Sequence, residues 1–120
     1  EINSTVRIIK KVTKTTPDLL RPPYGATNSR VALAAKRAHL GIALWNVDTL
    51  DWKYRNSARV TAAAVRDTRR GSIILVHDIH PTTVAAIPSV IERLRRKGYT
   101  FVTVEQLVGK PKPGQRYRHG

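Results

Sequence analysis

Apolar residues along this chain switch repeatedly between a helical and a strand period, and that alternation restricts the fold more than any other feature. Ile2, Val6, Ile9 and Val12 predict a helix over residues 1–14, ended by Thr16 and Pro17. Leu19 and Leu20 make a short apolar step into RPPYG, where two prolines and a glycine forbid regular structure. Asn28 or Ser29 is placed to cap a helix carrying Val31, Ala34, Ala35 and Ala38, with Gly41 as its stop. IALW, from Ile42, predicts a buried strand and leads into NVDTLDW. Ser57 caps a helix running to about Arg69, Gly71 stops it, and SIILV is the next strand. Thr82 or Thr83 begins a helix with Val84, Ile87, Ile91 and Leu94 on one face, Pro88 in an early turn or at a mild kink, and Gly98 at its end. YTFVTV predicts a last strand and Glu105 to Val108 a helical turn, followed by the irregular, basic GKPKPGQRYRHG.

Strands and helices in strict alternation imply right-handed crossovers and a parallel sheet, an α/β fold. The 120 residues suffice for one domain, burying roughly two thirds of the unfolded surface. Its expected extent is residues 1–109, with 110–120 as a basic Pro/Gly tail. The chain opens on a helix with no strand before it to pack against.

Three polar clusters follow the first three of the four predicted strands, Leu19–Leu20, IALW and SIILV: RPPYG, DTLDW and HDIH. Loops at the C-terminal ends of parallel strands converge on one face, so Arg21, Asp51 and His77 are candidates for one site. Each has an ordinary alternative as a turn, cap or core residue. An imidazole beside a carboxylate suits general acid catalysis, because the carboxylate fixes the tautomer and favours the charged ring. Asp51 is the preferred partner of His77, because Asp78 is its sequence neighbour and would point to the opposite face of a strand. Arg21 is suited to hold another carboxylate by a bidentate pair. His77 and His80 stand three apart, but Pro81 follows and no third ligand is evident, so no metal ligand is assigned in this chain.

Charge is the compositional outlier. Twenty-two Lys and Arg face eight Asp and Glu, a net charge of +14 that attracts anionic polymers. The bases are dispersed over two predicted helices and the tail, which reads as solvated faces, and no nucleic-acid motif accompanies them. No specific nucleic-acid partner is expected. No apolar run reaches the length of a membrane span, and the absence of cysteine excludes disulfides and thiolate metal sites.

RPPYG, DTLDW and ILVHDIHP together resemble the third, fourth and fifth motifs of the polysaccharide deacetylases, carbohydrate esterase family four, in order and spacing. The likeness extends through RLRRKGYTFVTVEQL over nearly the whole chain. It implies part of a distorted (β/α) barrel with parallel strands, the N-terminal strands lying outside this chain. The implied activity is metal-dependent removal of acetyl groups from N-acetylglucosamine-containing polysaccharide, peptidoglycan or chitin-like, with acetylxylan also open. By resemblance Arg21 orients the catalytic base, the Tyr24 backbone N–H helps stabilise the oxyanion, and Asp51 tunes His77. Trp52 walls the groove, Leu75 lines the acetyl pocket, and His77 protonates the leaving group.

The family's first two motifs, which supply the base and an Asp-His-His metal triad, have no counterpart here. The resemblance therefore implies a divalent metal, zinc, held by an N-terminal part of the same protein, and a chain inactive by itself. It also implies an extracellular or cell-wall location. Two other readings stand beside it: a non-catalytic basic module binding an anionic cell-wall polymer or nucleic acid, and a self-associating scaffold.

Overall fold

The computed structural model describes residues 1–120, packed as two compact units. The first comprises residues 1–44 and 104–118, the second residues 45–103 and 119–120.

In the first unit, α1 (Ile2–Thr13) ends at Lys14 in a left-handed conformation, and β1 (Leu19–Leu20) follows. A single 3-10 turn at Pro23–Gly25 leads to α2 (Ser29–Arg37). Asn28 caps α2, its Oδ1 accepting the Val31 N–H at 2.9 Å, a contact worth about 1 kcal/mol. Gly41 does not stop this helix; the chain leaves it through His39 at φ 61°, and Gly41 opens β2 (Gly41–Ala43). A Cβ on Gly41 would lie 3.0 Å from Pro111 Cβ and 3.2 Å from the Tyr117 ring, so close approach of the tail explains the glycine.

The tail is not irregular throughout. Arg116–Tyr117 is a strand, β5, and the sheet runs β1-β2-β5 with both pairings parallel. β2 donates its Ile42 N–H to Gln115 O and the following Leu44 N–H to Tyr117 O, at 2.8 and 2.7 Å. Both of its edges are thereby occupied. The strand expected at residues 99–104 does not form: residues 99–103 join no ladder, and Val104 already starts α5 (Val104–Val108).

In the second unit, β3 (Val47–Asp48) pairs in parallel with β4 (Ile74–Leu75), Val47 opposite Ile74 and Asp48 opposite Leu75. Between them runs α3 (Ser57–Asp67), capped by Asn56 and not by Ser57. After β4 comes α4 (Pro81–Arg96), which starts one residue before the expected threonines, with proline at its first position. Pro88 lies two turns inside. The buried face of α4 is Thr83, Ala86, Val90 and Leu94, so of the expected stripe only Leu94 is fully buried, while Ile87 and Ile91 are half-buried and Val84 is exposed. Val90 and Leu94 pack on Ala64 of α3, with Val65, Ile74 and Tyr99 around them. Every strand pair is parallel, as the alternation implied.

Candidate active site

Asp51 is the centre of the arrangement. The chain reaches it through a tight turn after β3, where Asp48 Oδ1 accepts the Leu50 N–H at 3.0 Å and Leu50 adopts φ 53°. A left-handed leucine costs about 1–2 kcal/mol. Thr49 anchors the turn by donating from Oγ1 to Leu75 O at 2.9 Å. The outcome is a carboxylate with no solvent exposure at all.

Burying a carboxylate is costly unless every oxygen is met. Asp51 Oδ2 accepts the His77 backbone N–H at 2.6 Å and the Thr83 hydroxyl at 2.8 Å, while Oδ1 lies 2.8 Å from His77 Nδ1. Burial alone would raise the Asp51 pKa. The His77 ring, the His77 N–H, the Thr83 hydroxyl and the imidazolium charge together outweigh it and hold the pKa below the ordinary 3.8. An ionised carboxylate only accepts, so Nδ1 is the protonated donor toward Asp51. Nε2 is left for chemistry, on a side chain 28% exposed.

The strand brings His77 to this place because β4 ends two residues earlier, at Leu75, which is half-buried in the ladder. Asp78 is exposed and forms no ion pair with the ring, whose carboxylate partner is Asp51. Trp52, next to Asp51, is 53% exposed. His80 is buried at the N-cap of α4, its ring centroid 6.1 Å from that of His77. Arg21 and Tyr24 belong to the first unit: Arg21 follows β1 and is exposed, and Tyr24 is fully exposed at φ 58° inside the 3-10 turn.

Thr83 is the site residue that sequence reasoning missed. In the sequence it reads as a helix-capping threonine, and the signal that separates it, burial in the first turn of α4, is tertiary. As a metal site these residues do not fit. Both Asp51 oxygens and His77 Nδ1 are engaged by one another or by Thr83, and no three His, Cys, Asp or Glu side chains stand together.

A sequence model of the family described as polysaccharide deacetylase matches residues 1–43. The peptidoglycan-N-acetylglucosamine deacetylase PgdA of Listeria monocytogenes is 44% identical over 102 residues, which is 84% of this chain and 21% of that protein. The peptidoglycan-N-acetylmuramic acid deacetylase PdaC of Bacillus subtilis is 39% identical over 107 residues, 89% of this chain and 22% of that protein. This chain thus spans about a fifth of the length of these relatives. Among solved structures, T48 deacetylase with substrate superposes with a TM-score of 0.85 at 40% identity, covering 98% of this chain and 58% of that one. Alike in sequence over most of its length and in fold over nearly all of it, with parallel strands of the kind that make up a distorted (β/α) barrel, this chain belongs to the polysaccharide deacetylase family.

Proposed function

We propose that this chain supplies the general acid of a hydrolase that removes acetyl groups from N-acetylated polysaccharide. The observation that carries the reading is the Asp51–His77 pair, with Nδ1 held at 2.8 Å by a buried carboxylate and Nε2 free. In amide hydrolysis water adds to the acetyl carbonyl, and the tetrahedral adduct then breaks its C–N bond. The sugar nitrogen cannot leave as an anion; it needs a proton, which His77 Nε2–H delivers, giving free amine and acetate. Asp51 offsets the positive charge on the ring before transfer and keeps its plane fixed, while Thr83 and the His77 N–H keep Asp51 in place.

The remaining roles follow the family resemblance: Arg21 orients a carboxylate base, the Tyr24 N–H stabilises the oxyanion, and Trp52 and Leu75 shape the groove and the acetyl pocket. Zinc, or another divalent metal, would polarise the carbonyl, held by residues outside these 120. We place that N-terminal part in the same protein, without which the chain is inactive, and the whole outside the cytoplasm, where a wall glycan is met. Peptidoglycan is the favoured substrate, because the relatives named above are peptidoglycan deacetylases and a net charge of +14 suits an anionic wall. Of those two, one is named for N-acetylglucosamine and the other for N-acetylmuramic acid, whose lactyl ether carries a carboxylate.

The test is acetate release from N-acetylated glycan by a protein that joins this chain to the N-terminal part of the catalytic domain. Metal-dependent release that falls by a factor of about 100 or more in His77→Ala supports the reading. Glycan binding that depends on salt, with no acetate released by either protein, would instead identify a basic binding module.

A further inference from the structure

Immediately after Asp51, the chain gathers two cations on one aromatic ring. The Tyr54 ring centroid lies 4.2 Å from Arg59 Cζ and 5.2 Å from Lys53 Nζ. The two charges therefore stand within about one Debye length of each other at ordinary ionic strength. Neither has a carboxylate partner: the ion pairs of the molecule are Arg66–Asp67, Arg96–Glu92 and His77–Asp51. The nearest acids in sequence are already engaged, Asp51 by His77 and Thr83, Asp48 by the Leu50 N–H.

The placement is costly in the free protein. Arg59 occupies the first turn of α3, which contains no acidic residue and where the helix's own positive end disfavours a cation. Cation–π contact with Tyr54 is of the same order as that cost at an exposed site. It does fix the two side chains, so a ligand anion meets cations whose freedom is already reduced. The turn is short and internally bonded, Lys53 and Tyr54 both donating their N–H groups to Leu50 O at 3.0 and 2.9 Å. Tyr54 lies three residues from Asp51, at most about 11 Å along the chain. Exposed Trp52 stands between them in sequence and offers a flat apolar face to a sugar ring.

We propose that Lys53, Tyr54 and Arg59 form a subsite for a carboxylate carried by the glycan, one or a few sugars from the residue that His77 serves. This rests on the reading of the chain as a glycan deacetylase, and it narrows the substrate to a polymer with carboxylated sugars, as opposed to neutral chitin. Arg59 offers a planar fork that matches a carboxylate, and Lys53 adds a point charge beside it.

The experiment is a titration of the 120-residue chain, followed by backbone amide NMR, with two tetrasaccharides of equal length. One is neutral β-1,4-linked N-acetylglucosamine; the other alternates N-acetylglucosamine with N-acetylmuramic acid and carries no peptide. The carboxylated glycan is expected to bind about tenfold more tightly at low salt, with shifts centred on residues 52–59. In the double variant Lys53→Gln, Arg59→Gln that preference disappears, while the His77–Asp51 resonances stay in place. Equal affinity for the two glycans, a preference retained in the double variant, or binding of neither would each overturn the subsite. Stronger binding of a glycerol phosphate oligomer of matched charge would overturn the carboxylate assignment. Acetate release by the complete domain is read separately, so failure of the subsite and failure of the reaction are told apart.

Discussion

Asp51 concentrates the physics of the site in one residue. Three donors converge on the two oxygens of a fully buried side chain, and the net effect keeps the carboxyl ionised. A carboxylate whose folded pKa is depressed contributes stability that is fully present above its unfolded value. That contribution is lost as pH falls through the folded pKa. For Asp51 the window therefore lies below pH 3.8. In Asp51→Asn the side-chain amide must turn an N–H toward donors, leaving buried groups unsatisfied at a cost of about 1–3 kcal/mol. Denaturant unfolding at neutral pH should show the variant less stable, with the gap closing below pH 3.8. A gap of constant size down to pH 2 would contradict the ionised pair. Thr83→Val removes one donor and keeps the shape, and a hydrogen bond to a charged group is worth about 1.5–3 kcal/mol. Thr83→Ser should recover most of the loss. The sharper readout is the His77 Nδ1–H resonance, expected to broaden through faster solvent exchange in the valine variant and to sharpen again in the serine variant.

At the scale of elements, α4 shows both what the sequence discloses and what it hides. Its existence and length follow from apolar spacing, yet its orientation is turned by about one residue from the one that Val84, Ile87 and Ile91 suggest. Those larger residues make the more hydrophobic stripe. The smaller Ala86 and Val90 face inward because α3 packs close at Ala64, and Thr83 faces inward because Asp51 binds it. Both reasons are tertiary, so no reading of α4 alone could reach them. Asp51 and His77 were legible because each follows a strand; Thr83 was not, because a threonine in a first helical turn is ordinary. Pro88 is tolerated for a local reason. It withdraws a hydrogen bond from the Val84 carbonyl, but Val84 and Pro88 are both exposed, so water can serve that oxygen. Pro88→Ala should restore the bond and stabilise the chain by about 1–3 kcal/mol, read as a higher thermal midpoint. No change would mean that the proline's rigidity in the unfolded chain offsets the missing bond.

At the scale of the whole molecule, the last residues exchange roles with a segment that has better strand credentials. YTFVTV is rich in aromatic and β-branched residues, whereas the tail is basic and punctuated by proline and glycine. Propensity favours the former, but pairing is decided by which backbone reaches an open edge. The tail reaches β2, where buried Ile42 and the residue after the strand, buried Leu44, donate their N–H groups to the Gln115 and Tyr117 carbonyls. Pro111 and the Tyr117 ring close over Gly41, and the Lys112 N–H donates to the Tyr117 hydroxyl at 2.8 Å. These contacts make residues 111–117 structural, despite a composition that reads as disposable. Deleting Arg116–Gly120 should therefore leave the Leu44 N–H of a buried strand without its partner and open one edge of the sheet. Each unmet buried group costs about 1–3 kcal/mol, and an open edge recruits other chains. Hydrogen exchange should accelerate by a factor of about 10 or more at Leu44, and at Ile42 if Gln115 is freed with the strand. Light scattering should show association at concentrations where the full chain shows none. If Leu44 stays protected in the truncated chain, β5 is decoration on a sheet that β1 and β2 hold together unaided, and the poor strand character of the tail was the better guide.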